Sequence, residues 1–227
     1  EVMEKPSAGR ASEGLVVSDD FGGKRLKIDW QWNHNPIDEC WSLRERRGWL
    51  RLTTGRVVDN LFLAPNTLTQ RMEGPACRGV VALDLAGMKD GDVAGFAAFN
   101  GDSGVLAVEC RDGRKYLSMR SESVSLADDT KRVTDVKTEL FETVELTSDV
   151  VYLRIDGDFR PGRDIASFSY SYDNSSWTPI GKEYRMIFDY RRFFMGTKFA
   201  IFNYATRQTG GYVDVDFFDY ERIRDVE

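Results

Sequence analysis

Ser167-Phe168-Ser169-Tyr170-Ser171-Tyr172 is the stretch that decides the fold class. Hydroxyls and rings alternate, so an extended chain sets three small polar groups on one face and three rings on the other. Outward from it the same period recurs. Trp49-Leu50-Arg51-Leu52 alternates, and so does Val151-Tyr152-Leu153-Arg154-Ile155-Asp156. Phe199-Ala200-Ile201-Phe202 is apolar at every position, as a central strand covered on both faces would be. Turn residues separate the runs: Asp90-Gly91, Asn100-Gly101-Asp102, Asp112-Gly113, Asp173-Asn174-Ser175 and Thr209-Gly210-Gly211. No long amphipathic helix is evident. Residues 128–136 are polar and read as a loop or a frayed edge. Many short strands with regular turns predict an all-β chain, either a sandwich or a barrel.

Bulk properties narrow the function classes. The chain has 227 residues, within the range of one large β domain. Residues 1–14 are polar without apolar periodicity and read as a linker or tail, which leaves 15–227 as the domain. The chain opens at Glu1 with no visible signal peptide, so it reads as a processed chain or a piece of a longer protein. Aromatic content is 12%, which suits both strands and sugar-binding surfaces. A net charge of −6 argues against a nucleic-acid partner, because phosphate binding needs a basic stripe. No run approaches the roughly 18 apolar residues of a membrane span. Cys40, Cys77 and Cys110 are far apart and His34 has no cysteine nearby, so no zinc site is expected. The three thiols read as small buried groups.

Three stretches in combination carry a family resemblance. The first is Trp30-Gln31-Trp32-Asn33-His34-Asn35-Pro36, followed by Trp41-Ser42-Leu43 and Gly48-Trp49-Leu50-Arg51-Leu52. The second is Asn66-Thr67-Leu68-Thr69-Gln70-Arg71. The third runs from Phe168 to Asp173 with Trp177, then through Phe199–Tyr204 and Gly211–Phe218. Together they resemble the concanavalin A-like C-terminal module of glycoside hydrolase family 43 β-xylosidases, over residues 17–220. The resemblance implies a two-sheet antiparallel jelly-roll sandwich. It also implies a catalytic five-bladed propeller in the parent protein, against which the module packs. A loop of the module that carries an aromatic ring would help to close the propeller's pocket. Xylan or xylooligosaccharide is the implied ligand, and an extracellular or periplasmic location is the accompanying expectation. With 227 residues used by the sandwich, no room remains for the propeller itself.

Candidate residues follow, each open to a structural alternative. Indole faces stack on sugar C–H surfaces, and amides offer paired donors and acceptors to hydroxyls. Gln31, Trp32, Asn33 and His34 supply both chemistries. Alternation puts Trp30 and Trp32 on one face and Gln31 and Asn33 on the other, so the tryptophans also fit a core. Arg71, on a face with Thr67 and Thr69, could grip a hydroxyl pair or pair with a neighbouring strand. Leu68 and Gln70 take the other face, where a buried Gln70 would need polar partners. Tyr190–Gly196 is an aromatic and basic loop. By position it is similar to the family's pocket-closing loop, which makes Phe193 or Phe194 the projecting ring. Asn203 and Tyr204 end a central strand and are candidates to line a sheet surface.

Asp214-x-Asp216-x-x-Asp219-x-Glu221 touches on glycosidase chemistry, which needs two carboxyl groups at a set separation. The leading Glu of the expected Glu-x-Asp-x-x-Glu row is missing, and a solvated or metal-binding strand face is the better reading, with Val213, Val215 and Phe217 toward the core. Asp19, Asp20, Asp214 and Asp216 are hard oxygen ligands of the kind a structural calcium takes, but no contiguous calcium loop exists and no cofactor is expected. The leading expectation is thus a non-catalytic module that recognises xylan or xylooligosaccharides. A structural brace for the propeller and a stand-alone sandwich glycosidase are the alternatives.

Overall fold

The alternating runs pair edge to edge as antiparallel strands. The computed structural model describes residues 15–130, 132–187 and 195–224. Its first strands are β1 (Gln31–Trp32), β2 (Trp41–Ser42), β3 (Leu50–Thr53), β4 (Leu68–Arg71) and β5 (Ala76–Asp84). The middle of the chain forms β6 (Asp92–Phe99), β7 (Asp102–Arg111), β8 (Arg114–Leu126), β9 (Val133–Glu145) and β10 (Val150–Asp158). Then follow β11 (Ile165–Ser171), β12 (Thr178–Pro179), β13 (Tyr184–Arg185), β14 (Lys198–Ala205) and β15 (Tyr212–Ile223). The described residues contain no α-helix, only two 3-10 turns, Asp38–Cys40 and Leu61–Leu63.

One sheet runs β1-β4-β14-β6-β7-β8-β9. The other runs β12-β11-β10-β5-β15-β3-β2, with β13 also paired to β11. The two face each other as the expected concanavalin A-like sandwich. Of the polar stretch 128–136, residues 133–136 already belong to β9, an edge strand of the first sheet.

The core between the sheets is a ring cluster. Phe96 and Phe199 stack at 5.5 Å, and Phe218 from the opposite sheet meets Phe199 at 5.7 Å and Trp30 at 5.2 Å. The Trp30 indole donates to Asp19 Oδ2 at 2.8 Å, which satisfies a buried donor that would otherwise cost about 1–3 kcal/mol. Gln70 turns inward as expected. Its side chain both donates to Val17 O and accepts from Val17 N, each at 3.0 Å, so the polar pocket it needs is one backbone unit. Cys77 and Cys110 are buried and Cys40 is half-buried, all as free thiols.

One expectation about β15 is corrected. Val213 and Val215 face the core, but a bulge between Val215 and Phe218 shifts the register. Phe218 therefore enters the core, and Phe217 lies outside against Tyr152 at 6.2 Å. A bulge inserts one residue and so reverses the alternation beyond it.

Candidate functional site

Residues directly opposed in an antiparallel ladder share a face. On the outer side of the first sheet this rule aligns Gln31, Thr69 and Ala200, then Arg71, Lys198 and Phe99, then Tyr204, Val93 and Glu109. The middle of that face is apolar: Val93, Ala97, Phe99, Val105, Ala107, Ala200 and Phe202 are all buried. Their cover is the segment after β3. Leu61 and Ala64 sit on the apolar patch, with Val58 and Phe62 packed around them.

Hydrogen bonds fasten this plug. Val58 N donates to Ala205 O at 2.9 Å, and Leu61 N donates to Glu122 Oε2 at 3.2 Å. Asn60 caps the 3-10 turn by accepting from Leu63 N at 3.1 Å. The Phe62 carbonyl accepts from His34 Nε2 at 2.7 Å and from Asn33 Nδ2 at 3.4 Å. Asn33 and His34 thus staple the plug to β1. Trp32 points to the opposite, inner side, half-buried against Trp41 at 5.4 Å. No indole platform is formed by the Trp30–Asn35 stretch.

Two pockets open on this face. The edge pocket, of about 410 Å³, brings together Gln31, Arg71 and Lys198 with Met72 and Met195. Lys198 Nζ donates to Gln31 Oε1 at 2.9 Å. Burial lowers the Lys198 pKa, and the Arg71 guanidinium beside it lowers it further. Among the described residues neither cation has a carboxylate partner. Phe193 and Phe194 lie outside the described residues.

The second pocket, of about 240 Å³, lies at the far end of β14 around Tyr204. Arg120 is its centre. The guanidinium donates to Glu122 Oε1 at 3.0 Å, to Tyr204 Oη at 3.1 Å, and to Glu109. Burial works against the charge of Glu109, but Arg111 and Arg120 outweigh it and hold its carboxyl below the ordinary glutamate range. Burial works against the charge of Arg120 too, yet its partners raise its pKa further. The Tyr204 hydroxyl is pushed up, chiefly by burial. Glu109 is therefore ionised near neutrality, and both Glu122 oxygens accept hydrogen bonds. Glu109 is thus not set to lend a proton as a glycosidase acid must.

Asn203 and Tyr204 were both expected on a sheet surface, and that expectation fails in different ways. Asn203 faces the core and donates to Leu52 O at 2.8 Å. Tyr204 faces outward but is only 2% exposed, as part of the second pocket's floor. Neighbours along a strand take opposite faces, so the two could not line one surface together. Asp214 of the acidic row on β15 is buried and occupied as well. Arg51 grips both oxygens of Asp214 at 2.7 and 2.8 Å, and Arg46 bridges Asp214 to Asp84. Asp19 serves Trp30 and the Phe21 amide. No three metal-ligating side chains converge among the described residues.

The sequence reading missed Lys198, Glu109, Arg120 and Glu122. Their one signal was charge at outward positions of otherwise apolar or small-residue strands.

The two-sheet architecture and the plugged outer face place the chain among concanavalin A-like modules of carbohydrate-active proteins. Residues 18–221 match the β-xylosidase C-terminal concanavalin A-like domain, and the chain belongs to that family. It is 28% identical over 244 residues to a β-xylosidase of Formosa agariphila, covering 96% of this chain and 37% of that protein. A solved structure of a bifunctional GH43-CE protein of Bacteroides eggerthii is 42% identical, with a TM-score of 0.82 over 93% of this chain and 26% of that one. A third relative is an engineered family 43 glycoside hydrolase with endo-xylanase and exo-arabinofuranosidase activity. It is 31% identical, with a TM-score of 0.86 over 98% of this chain and 44% of its own. The chain thus spans less than half the length of each of these relatives. No helix among the described residues is long and apolar enough to cross a membrane.

Proposed function

We propose that this chain is a non-catalytic accessory module of a β-xylosidase-like glycoside hydrolase and that it recognises xylan or xylooligosaccharide through its edge pocket. The observation that carries this reading is the convergence of Gln31, Arg71 and Lys198 on one cavity beside Met72 and Met195. An amide and two cations donate to sugar hydroxyls, and the thioether side chains offer an apolar wall to the C–H face of a ring. Asn33 and His34 act elsewhere on this face, as fasteners of the plug. Asn203 and Tyr204 lie away from this pocket, and Trp32 lies on the inner side of the sheet against Trp41.

Titration calorimetry with xylotriose and soluble xylan tests the proposal. Weak saturable binding is expected, reduced roughly tenfold in Arg71→Ala, the loss of one charge-assisted hydrogen bond. Absence of heat with both ligands would sink it.

A second reading has its own observation. Arg71 and Lys198 are like charges on opposed strands, and no described carboxylate neutralises them. A catalytic domain in the remainder of the parent protein could supply that carboxylate, with the module acting as a brace. In that case the lone chain ignores xylotriose, while Arg71→Ala in the parent enzyme lowers turnover.

A further inference from the structure

The pocket around Tyr204 has no part in the edge site. It lies six residues farther along β14, about 20 Å away at the rise of an extended strand. We propose that it is a second, independent binding site for a single neutral pyranose unit of the glycan. This inference shares the reading of the chain as a glycan-binding module but does not depend on the edge pocket.

Three observations support it. First, the charge is costly where it stands. Arg120, with its side chain 10% exposed, and Glu122, at 6%, are set into a face that also carries the buried Val93, Ala97, Val105, Ala107 and Phe202. Continuing that apolar surface would cover the sheet without desolvating ions, and buried ion clusters are weak contributors to stability. Second, the cluster borders open space. Arg120 closes the floor with Tyr204, while Asp59, Thr138 and Arg207 form the rim of a cavity of about 240 Å³. That volume admits one sugar ring.

Third, the lining selects the ligand's chemistry. Carboxylates of Asp59, Glu109 and Glu122 repel a phosphate or a uronate, and the guanidinium groups repel a cation. A ring of neutral hydroxyls satisfies both sets at once, since each hydroxyl donates to a carboxylate and accepts from a guanidinium.

Amide chemical shifts of the whole chain, titrated with methyl β-xyloside and with xylotriose, provide the test. Binding is expected to move amides of Val93, Glu109, Arg120 and Thr206 along one isotherm and those of Arg71 and Lys198 along another. Thr138→Trp, on the exposed rim strand, fills the mouth of the pocket and should weaken the first isotherm roughly tenfold or more while leaving the second unchanged. Glu109→Gln removes one charged acceptor and should weaken the same isotherm. Shifts confined to the edge pocket would overturn the second site and leave the proposed function standing. Shifts at Glu109 and Arg120 that Thr138→Trp does not alter would also overturn it. Silence at both sites overturns both readings.

Discussion

Gly95 stands opposite Ala107 on β7, and a β-carbon placed on it would lie 1.9 Å from the Leu106 carbonyl oxygen. Neither strand can yield, because both lie within the sheet and are tied into its ladders. Gly95→Ala should therefore destabilise the fold by about 3 kcal/mol, an overpacking cost at the upper end of its usual range. Urea unfolding followed by fluorescence reads this as a lower midpoint at unchanged slope, and an unaltered midpoint would contradict the packing described. Single residues also show how far pattern reading reaches. The face of each residue in Trp30–Asn33 and Thr67–Arg71 follows from alternation. The partner it meets there does not. His34 is a ligand-like residue by type, yet what it finds is the Phe62 carbonyl, 28 positions away in sequence.

Among the elements, the 3-10 turn Leu61–Leu63 does the most to shape the outer face. Leu61 is 1% exposed and belongs to the buried cluster that includes Val93, Ala97 and Phe202. Leu61→Ala is expected to cost about 3 kcal/mol, from lost burial and the cavity left behind. Because the turn is a lid over apolar residues, the variant should also bind a hydrophobic dye that the parent chain excludes. Thermal melts with dye fluorescence measure both effects, and a variant that melts as the parent does would mean that the plug is not seated there. This element was not legible in the sequence. Asn60-Leu61-Phe62-Leu63 has turn chemistry and apolar residues but no period, since a plug makes its contacts with other strands and not along its own axis. The bulge in β15 was hidden for a related reason: nothing in Val213–Phe218 marks the residue at which the register slips.

At the scale of the molecule, net charge and site charge diverge. The chain carries −6 overall, yet the edge pocket holds two cations without a described carboxylate partner. A neutral xylooligosaccharide has no counterions to release, so its affinity should change by less than about twofold between low salt and 0.5 M salt, where the screening length falls below roughly 5 Å. An acidic partner surface would be sensitive to the same change. Calorimetry at the two salt concentrations separates these cases, and a steep salt dependence for xylotriose would argue against hydroxyl recognition.

The sequence by itself determined the all-β class and most strand faces. Those depend on a period of two and on turn residues, which are local properties. It also determined the family, through motifs spread over nearly the whole chain. Only the tertiary structure decided where polar chemistry gathers. Arg120 meets Glu122 along its own strand, Glu109 from β7 and Tyr204 from β14, and Lys198 meets Gln31 across 167 positions. Strand order and register bring those groups together, and neither can be read from any one strand. The opening stretch marks the limit. Ser167–Tyr172 does form β11 and its continuation, but both faces of that strand are covered. Ser169 and Ser171 are as buried as Phe168, and Tyr172 is the ring left half-exposed.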